Sequence, residues 1–432
     1  MTRLRTKQVL ITSVAFAALV VSTHFVGKHA SSPFLLAYWI IGAAVICLCL
    51  SAYIVGRRAT DLTPAPGRVL CIVPVYNEPT AILQRTVDAL LAQTVPIDIV
   101  IIDDGSTTPV VPTVHHPRVR WWAQENTGKR GAQVTVLRRV AAEGHAFVMT
   151  VDSDSQPYPN ACEELLRAMS DPRVEAATGM IYVRNHHESW ISMAADMDIG
   201  GSCVMMRASR SMLGALETTS GALALYRARL LYDHLDAYEV ECGTGDDRWL
   251  ALRALRRGEV VGVAEAGVET EMPSTFAGTY RQRLRWARSW WWMLPYVFRH
   301  LRFKQLISPT FGLIQLIISP AIIVYATYAA ARMGMGASTD QAAQYVLLYA
   351  ATYLLVRYCV SALYLIGRPN VSRRQKLALL VVGTPAAILL NFILLAPTRY
   401  WALFKLFDNR WQTRNADPNQ LPRASADAGS AG

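Results

Sequence analysis

Cysteine is sparse and poorly spaced for a scaffold. Cys47, Cys49, Cys71, Cys162, Cys203, Cys242 and Cys359 include no C-x-x-C pair, and their number is odd. This fits reduced thiols in a cytosol-facing domain better than a disulfide framework. Charge is scarce too. Charged residues make up 17% of the chain against 52% apolar. That is too apolar for an ordinary soluble enzyme, and the middle of the chain is too charged for a pure membrane bundle. Acidic residues are outnumbered, and the formal net charge is +11. This excess does not point to nucleic acid, because the basic residues cluster beside apolar runs. Arg57-Arg58 follows one run, and Arg373-Arg374 with Lys376 precedes another. Such clustering is the cytoplasmic-side bias of membrane proteins.

The apolar runs set the organisation. Val9 to Gly27 and Phe34 to Val55 are each long enough to cross a ~30 Å hydrocarbon core as a helix. Arg3, Arg5 and Lys7 precede the first run, but a second span follows at once, which excludes a signal peptide. Basic residues flank the outer ends, so residues 1–58 read as a hairpin with both ends in the cytosol. Pro64 and Pro66 mark residues 59–67 as a linker. Residues 68–285 have the texture of a soluble α/β domain, and residues 286–305 that of interfacial helices. Residues 306–398 form a further transmembrane or re-entrant region containing Leu306 to Met333, Ala342 to Gly367 and Leu377 to Pro397. Arg357 lies inside the second of these and should face a polar interior or a pathway. The third has basic flanks on both sides and is interrupted by Gly383 and Pro385, which predicts a re-entrant or broken segment. The tail, 415–432, is rich in Ala, Ser, Asp and Pro and reads as disordered. The expected location is the cell membrane, multi-pass, with the α/β domain in the cytosol.

Within that domain, Val69 to Val75, Ile97 to Ile102 and Ala146 to Val151 are continuous apolar strands, and Thr80 to Leu91 is an amphipathic helix. Such an alternation predicts a mostly parallel sheet covered on both faces. Polar residues follow the strands: Tyr76-Asn77-Glu78, Asp103-Asp104-Gly105-Ser106 and Asp152-Ser153-Asp154. Ligands of open α/β sheets bind beyond these carboxyl ends. Asp152 and Asp154 suit one hard divalent cation, Mg2+ or Mn2+, though surface turns use the same residues. Asp103 and Asp104 suit the base or ribose of a nucleotide, or a plain turn. Gly128-Lys129-Arg130-Gly131 is a basic loop suited to phosphate oxygens or to solvent. It lacks the G-x-x-x-x-G-K-[ST] spacing of a Walker A loop. Asp246-Asp247 in Gly243 to Arg248 offers a general base, or a helix cap. Cys242 precedes it, and lone cysteines are usually small buried hydrophobes.

Gln282-Arg283-Leu284-Arg285-Trp286 stands at the doorway of the membrane region. The Arg285 fork suits a diphosphate, and the Trp286 indole suits a sugar ring. An interfacial anchor would use the same residues. Together the motifs supply a metal, a nucleotide grip, a base, a cation for a leaving diphosphate and an aromatic acceptor platform. That set suits glycosyl transfer with inversion.

In order, VPVYNE, DDGS, GKRGAQ, DSDS, SGALALYR, GDDR and QRLRW resemble the membrane-embedded, processive family 2 glycosyltransferases. Bacterial hyaluronan synthases are most similar, then rhizobial chitooligosaccharide synthases and cellulose synthases. The resemblance covers residues 68–300 and returns at Trp411-Gln412-Thr413-Arg414, where Gln412 stands in place of the usual glycine. It implies a GT-A fold, Rossmann-like with a mostly parallel sheet, on the cytosolic face, and a channel through which the polymer leaves. It implies a UDP-sugar held by Tyr76, Glu78, Asp103, Asp104, Lys129, Arg130 and Asp152, with the divalent ion at Asp154 and Asp152. It assigns the base to Asp247 beside Asp246. Gln282, Arg285 and Trp286 go to the diphosphate and acceptor end, Cys242 to the acceptor pocket, and Trp411, Thr413 and Arg414 to a gating element at 399–414. A hyaluronan-like polymerase using UDP-GlcNAc with UDP-GlcA leads the expectations. A single-sugar chitooligosaccharide or other β-glycan synthase follows. A non-processive transferase acting on a lipid carrier and a degenerate scaffold are weaker, because the acidic set is complete and QRLRW is present.

Overall fold

The computed structural model describes residues 2–29, 33–56, 61–243, 245–334 and 341–406. Helices α1 (Thr2–His29) and α2 (Pro33–Val55) lead into an α/β domain. There β1 (Val69–Val75), α3 (Thr80–Leu91), β2 (Asp98–Asp104), β3 (Val119–Gln124) and α4 (Gly128–Val140) come first. They are followed by β4 (Phe147–Thr150), β5 (Gln156–Pro157), α5 (Ala161–Ala168) and β6 (Val174–Val183). Helix α6 (Trp190–Ser202) continues through a π-type turn at 203–207 into α7 (Ala208–Met212). Then come β7 (Ala224–Arg227), α8 (Ala228–Tyr232), α9 (Leu235–Glu241), α10 (Asp246–Arg257) and β8 (Glu259–Thr270). The remaining helices are α11 (Phe276–His300), α12 (Phe303–Gly334), α13 (Gln341–Gly367) and α14 (Arg373–Phe404).

The eight strands form one sheet in the order β3-β2-β1-β4-β7-β6-β8-β5. The first four are parallel, β7 runs antiparallel to both neighbours, β6 and β8 are parallel, and β5 is an antiparallel edge. Every residue of β1 is buried because the strand is central and covered on both faces. Its side chains alternate between two cores. Val69, Cys71, Val73 and Val75 join α3 and α5, whereas Leu70 and Ile72 join α4 and α10. Pro74 is tolerated in this central strand because β1 has outrun β4. The pairing with β4 ends at Ile72, whose carbonyl accepts from Val151, so the missing Pro74 N–H would have had no partner on that side. This places the carboxyl ends of β1, β2 and β4 side by side.

The expected linker is fastened rather than loose. Ala65 N–H donates to Leu166 O and Arg167 donates to Leu62 O, which holds this stretch against α5. Among the described residues, three helical stretches are long and apolar enough to cross a membrane: Thr6–Lys28, Leu347–Gly367 and Arg373–Phe404. Trp39–Val55 and Phe303–Ile318 are shorter apolar stretches. Helix α1 lies along α2 and α13, and α14 packs on α6 and α11.

Two expectations change here. The boundary expected at 285/286 falls inside a single helix, α11, whose first turn is capped by Thr275 Oγ1 accepting from Gly278 N–H. The segment expected to break at Gly383 and Pro385 stays helical from Arg373 to Phe404. Two π-type turns, 379–383 and 391–395, each end two residues before a proline, Pro385 and Pro397. A widened turn relieves the clash a proline makes with the preceding turn. Gly383 serves close packing instead, since a Cβ there would lie 3.0 Å from Met197 Cγ and 3.2 Å from Met193 Cγ on α6.

Candidate active site

The loops beyond β1 and β2 are built as one unit. Asn77 takes a left-handed conformation (φ 50°), tolerable for asparagine. Its N–H donates to Ser106 Oγ at 2.9 Å, and its Oδ1 accepts from Thr107 N–H at 2.8 Å. Tyr76 and Glu78 flank it, half-buried. The two aspartates of the second loop do different things. Asp103 turns both oxygens to its own loop, accepting from the N–H groups of Ser106 (3.0 Å) and Val110 (2.9 Å). Both oxygens thus hold the loop's shape. Asp104 Oδ1 accepts from Thr127 N–H (2.9 Å) and Gln124 Nε2 (2.8 Å), which ties β2 to the start of α4. Gly105 has φ 73° and a Cβ there would lie 2.7 Å from Asn126 N, so only glycine fits.

Lys129, in the first turn of α4, draws three loops together. Its Nζ lies 2.6 Å from Asp152 Oδ1 and 3.3 Å from Asp246 Oδ2. Gly221 completes the corner: a Cβ there would sit 2.9 Å from Asp152 Oδ2 and 3.0 Å from Lys129 Nζ. Burial disfavours the ammonium, but Asp152, Asp246 and Asp247 outweigh it and hold the pKa well above the usual lysine value. Asp154 Oδ1 accepts from Ser155 Oγ and Thr270 Oγ1, each at 3.2 Å. Ser153 Oγ donates to Glu78 Oε2 at 2.8 Å, so Glu78 braces the loop carrying both aspartates. Among the described residues no group of three or more metal-ligating side chains occurs. Two carboxylates on one strand-end loop still fit a hard cation that takes its other ligands from substrate phosphates and water.

Asp246 and Asp247 open α10. Thr218 Oγ1 donates to Asp247 Oδ2 at 3.4 Å, Arg248 N–H donates to Asp247 Oδ1 at 2.9 Å, and Thr219 Oγ1 donates to Asp247 O at 3.0 Å. The two carboxyl groups are driven apart. Burial, and then the charge of Asp246, raise the pKa of Asp247. Burial would raise that of Asp246 too, but Lys129 and then Arg285 pull it below the usual value. A pair separated in this way can hold one group as a fixed charge and the other as a proton acceptor.

Helix α11 reaches the same place from the membrane side. Its charge bears on Asp246 through Arg285. One turn on, Ser289 fills the space over Gly245 (φ 100°), where a Cβ would lie 2.0 Å from Ser289 Oγ. A further turn on, Trp292 Nε1 would lie 3.3 Å from a Cβ at Gly243. Residues 285, 289 and 292 are thus one helical face, and the glycines of GTGDD let the backbone approach it. Gln282 Nε2 lies 3.5 Å from Met272 Sδ. Trp286 is 39% exposed and carries the Arg283 guanidinium 4.5 Å from its ring centroid. The neighbouring tryptophans join helices together: Trp291 Nε1 donates to Arg399 O at 2.7 Å, and Trp290 lies against Gly312.

Several expected residues fall elsewhere. Arg130 bears on Cys242, and its buried Nη1 has no hydrogen-bond partner. Cys242 has 0% exposure and sits in the core with Tyr238 and Trp249, so it does not line an open pocket. Trp411, Thr413 and Arg414, and the tail, lie outside the described residues. Thr218, Thr219 and Ser289 escaped the sequence reading, and Gly221 lay within SGALALYR without an assigned role. The spacing of Ser289 from Arg285, one turn, was the available signal.

Residues 66–289 match the family described as "Glycosyltransferase like family 2". A hyaluronan synthase of Streptococcus pyogenes is 32% identical over 244 residues, 52% of this chain and 58% of that protein. The match therefore spans little more than half the length of that relative. An N-acetylglucosaminyltransferase of Azorhizobium caulinodans is 27% identical over 378 residues, covering 83% of this chain and 90% of that one. A second N-acetylglucosaminyltransferase, of Mesorhizobium japonicum, is 29% identical over 364 residues, covering 81% and 82%. Among solved structures, a mannosyltransferase from Pyrobaculum calidifontis in complex with GDP-Man and Mn2+ superposes with a TM-score of 0.46 at 17% identity, covering 94% of this chain and 100% of that chain.

Proposed function

For a chain that belongs to glycosyltransferase family 2 and carries its GT-A domain, we propose a processive, inverting β-glycosyltransferase. It polymerises UDP-GlcNAc together with UDP-GlcA and passes the polymer through its own membrane helices. The observation that carries this reading is the meeting of Lys129, Asp152 and Asp246 at one corner, with Asp247 beside them and Arg285 reaching in from α11. The hyaluronan synthase and N-acetylglucosaminyltransferase relatives support the choice of sugars.

The residue roles follow from position. Tyr76 and Asp104, at the ends of β1 and β2, take the uridine end of the donor. Lys129 exchanges its carboxylate partners for the diphosphate. Asp152 and Asp154 would hold Mg2+ or Mn2+, which supplies charge neutralisation for the leaving diphosphate. Arg285 and Gln282 take the opposite side of that diphosphate. The acceptor sugar lies on the open face of Trp286. Its hydroxyl gives its proton to Asp247 as the oxygen bonds to the anomeric carbon. The bond from that carbon to UDP breaks with inversion.

A single-sugar reading has one observation in its favour, the greater coverage of the N-acetylglucosaminyltransferases. The full-length protein in detergent with Mg2+ or Mn2+, given UDP-GlcNAc and UDP-GlcA separately and together, decides. Polymer only with both sugars is expected. Oligomers from UDP-GlcNAc alone would favour the single-sugar reading, and no turnover of either donor would overturn both.

A further inference from the structure

Beyond Trp286, on the side away from the acidic loops, lies a cluster that the catalytic roles leave unused. Arg283 stacks on Trp286 and places Nη2 3.3 Å from Asp198 Oδ2 on α6. That contact is a charge pair without hydrogen-bond alignment: Arg283 Nε and Nη2 are buried and have no hydrogen-bond partner. Arg399 of α14 also bears on Arg283 by its charge. Arg357, inside the apolar stretch of α13, lies over Gly201, with Nη1 2.6 Å from where a Cβ would stand. Its Nη2 donates to Met197 O at 3.4 Å, and its buried Nε has no partner. Tyr353, one turn before Arg357, is within electrostatic reach of both Arg357 and Asp198.

One carboxylate, Asp198, thus faces Arg283, with Arg399 bearing on Arg283 and Arg357 reaching the same Tyr353 as Asp198, where α6, α11, α13 and α14 converge. Buried arginines with unmatched donors are costly unless something supplies acceptors. Other arginines of the α/β domain that could meet a carboxylate are engaged elsewhere. Arg184 pairs with Glu271 at 2.7 Å, Arg207 donates to Gly179 O at 2.6 Å, and Arg248 lies 3.7 Å from the buried Glu217. Resting on the polymerase reading above, we infer that Arg283 and Arg357 form a carboxylate-reading subsite for the uronic acid units of the growing chain. Arg283, already on Trp286, takes the uronate carboxylate as the sugar leaves that ring, in place of its misaligned contact with Asp198. The planar fork matches a carboxylate with two hydrogen bonds, and the neutral sugars pass unheld.

The test uses the full-length protein in a nonionic detergent free of phospholipid, so that lipid phosphate does not compete. Two probes are compared: a tetrasaccharide of alternating GlcNAc and glucuronate, and the same molecule with its carboxyl groups reduced to hydroxymethyl. Wild-type protein should bind the carboxylate form about tenfold tighter, as expected for one charged hydrogen-bonded contact. In Arg283→Gln that preference should fall to about threefold or less, and Arg283→Lys should lie between because lysine lacks the fork. Equal affinity of wild-type protein for both probes overturns the subsite whatever the variants do. An unchanged preference in both Arg283→Gln and Arg357→Gln overturns the assignment of these residues. Polymer formation from UDP-GlcNAc together with UDP-GlcA by the same preparation separates this failure from failure of the polymerase reading.

Discussion

Lys129 and Arg283 both lie against aspartates, on opposite sides of the proposed reaction centre, and the two neighbourhoods differ in balance. Lys129 sits between Asp152 and Asp246 with Asp247 close by, so negative charge exceeds positive there. Arg283 faces Asp198, with Arg399 bearing on Arg283 and Arg357 reaching the same Tyr353 as Asp198, so among these groups positive charge exceeds negative. The first arrangement suits a site that awaits a cation and a diphosphate together. Its excess carboxylates hold the lysine in place until the phosphates arrive with their counterion. The second suits a ligand that brings its own negative charge and no metal. On the proposed reading, the two sides of Trp286 serve opposite ends of one reaction, a metal-bound leaving group and an acidic product.

The largest effect should come from the donor side. Asp247→Asn removes the proposed proton acceptor, while the amide oxygen can still accept from Arg248 N–H and the amide NH2 can donate to the Thr218 hydroxyl. Transfer should fall by about 10³-fold, the usual scale for general base catalysis, with UDP binding retained. Isothermal titration with UDP alongside a turnover assay checks both, and near-normal turnover would remove Asp247 from the mechanism. Asp246→Asn should do something different. Asp247 must be ionised to accept a proton, and its pKa is raised by burial and by Asp246. Activity is therefore lost as pH falls through that raised value. Without the neighbouring charge the acid limb of the pH–rate profile should move to lower pH. An acid limb that stays in place would show that another group sets it.

A smaller effect tests how the two sides are joined. Gly245→Ala places a side chain against Ser289 and forces a positive φ on alanine. A loss of about 1–3 kcal/mol is expected, read as a lowered Tm with reduced turnover. Adding Ser289→Gly should recover the part due to crowding and not the part due to φ. No recovery in the double variant would mean that α11 does not rest on this loop.

Much of the donor side was legible in sequence because each element announces itself locally. An apolar strand ends, an acidic turn follows, and sheet topology brings successive turns together. What local sequence does not reveal is how a carboxylate is used. Asp103 and Asp104 are neighbours of one type, yet the backbone N–H groups of their own loop take up one and the α4 junction takes one oxygen of the other. Cys242 was legible as a small buried hydrophobe, and it was the family resemblance that assigned it to an acceptor pocket. The exit side was harder still. Its residues come from four helices far apart in sequence, and α11 crosses the boundary that composition suggested at 285. Trp290 and Trp291 read as interfacial anchors, whereas α11 uses them to meet α12 and α14. Arg357 alone gave notice, through the expense of an arginine in an apolar run.

The smallest predicted effect is the one that most directly tests the charge balance. Asp198→Asn removes the carboxylate that faces Arg283 at 3.3 Å and, like Arg357, bears on Tyr353. If Asp198 were a structural partner, its loss would weaken the protein and lower affinity for every acceptor alike. If it holds the place of the polymer's carboxylate, its loss should raise affinity for a glucuronate-containing tetrasaccharide by about threefold, the scale of a partly screened ion pair. Affinity for the carboxyl-reduced tetrasaccharide should not change. The gain should disappear in the double variant with Arg283→Gln, because the carboxylates then have no common guanidinium to compete for. Elongation should become slower as binding tightens, since a chain held more firmly at its exit leaves less readily.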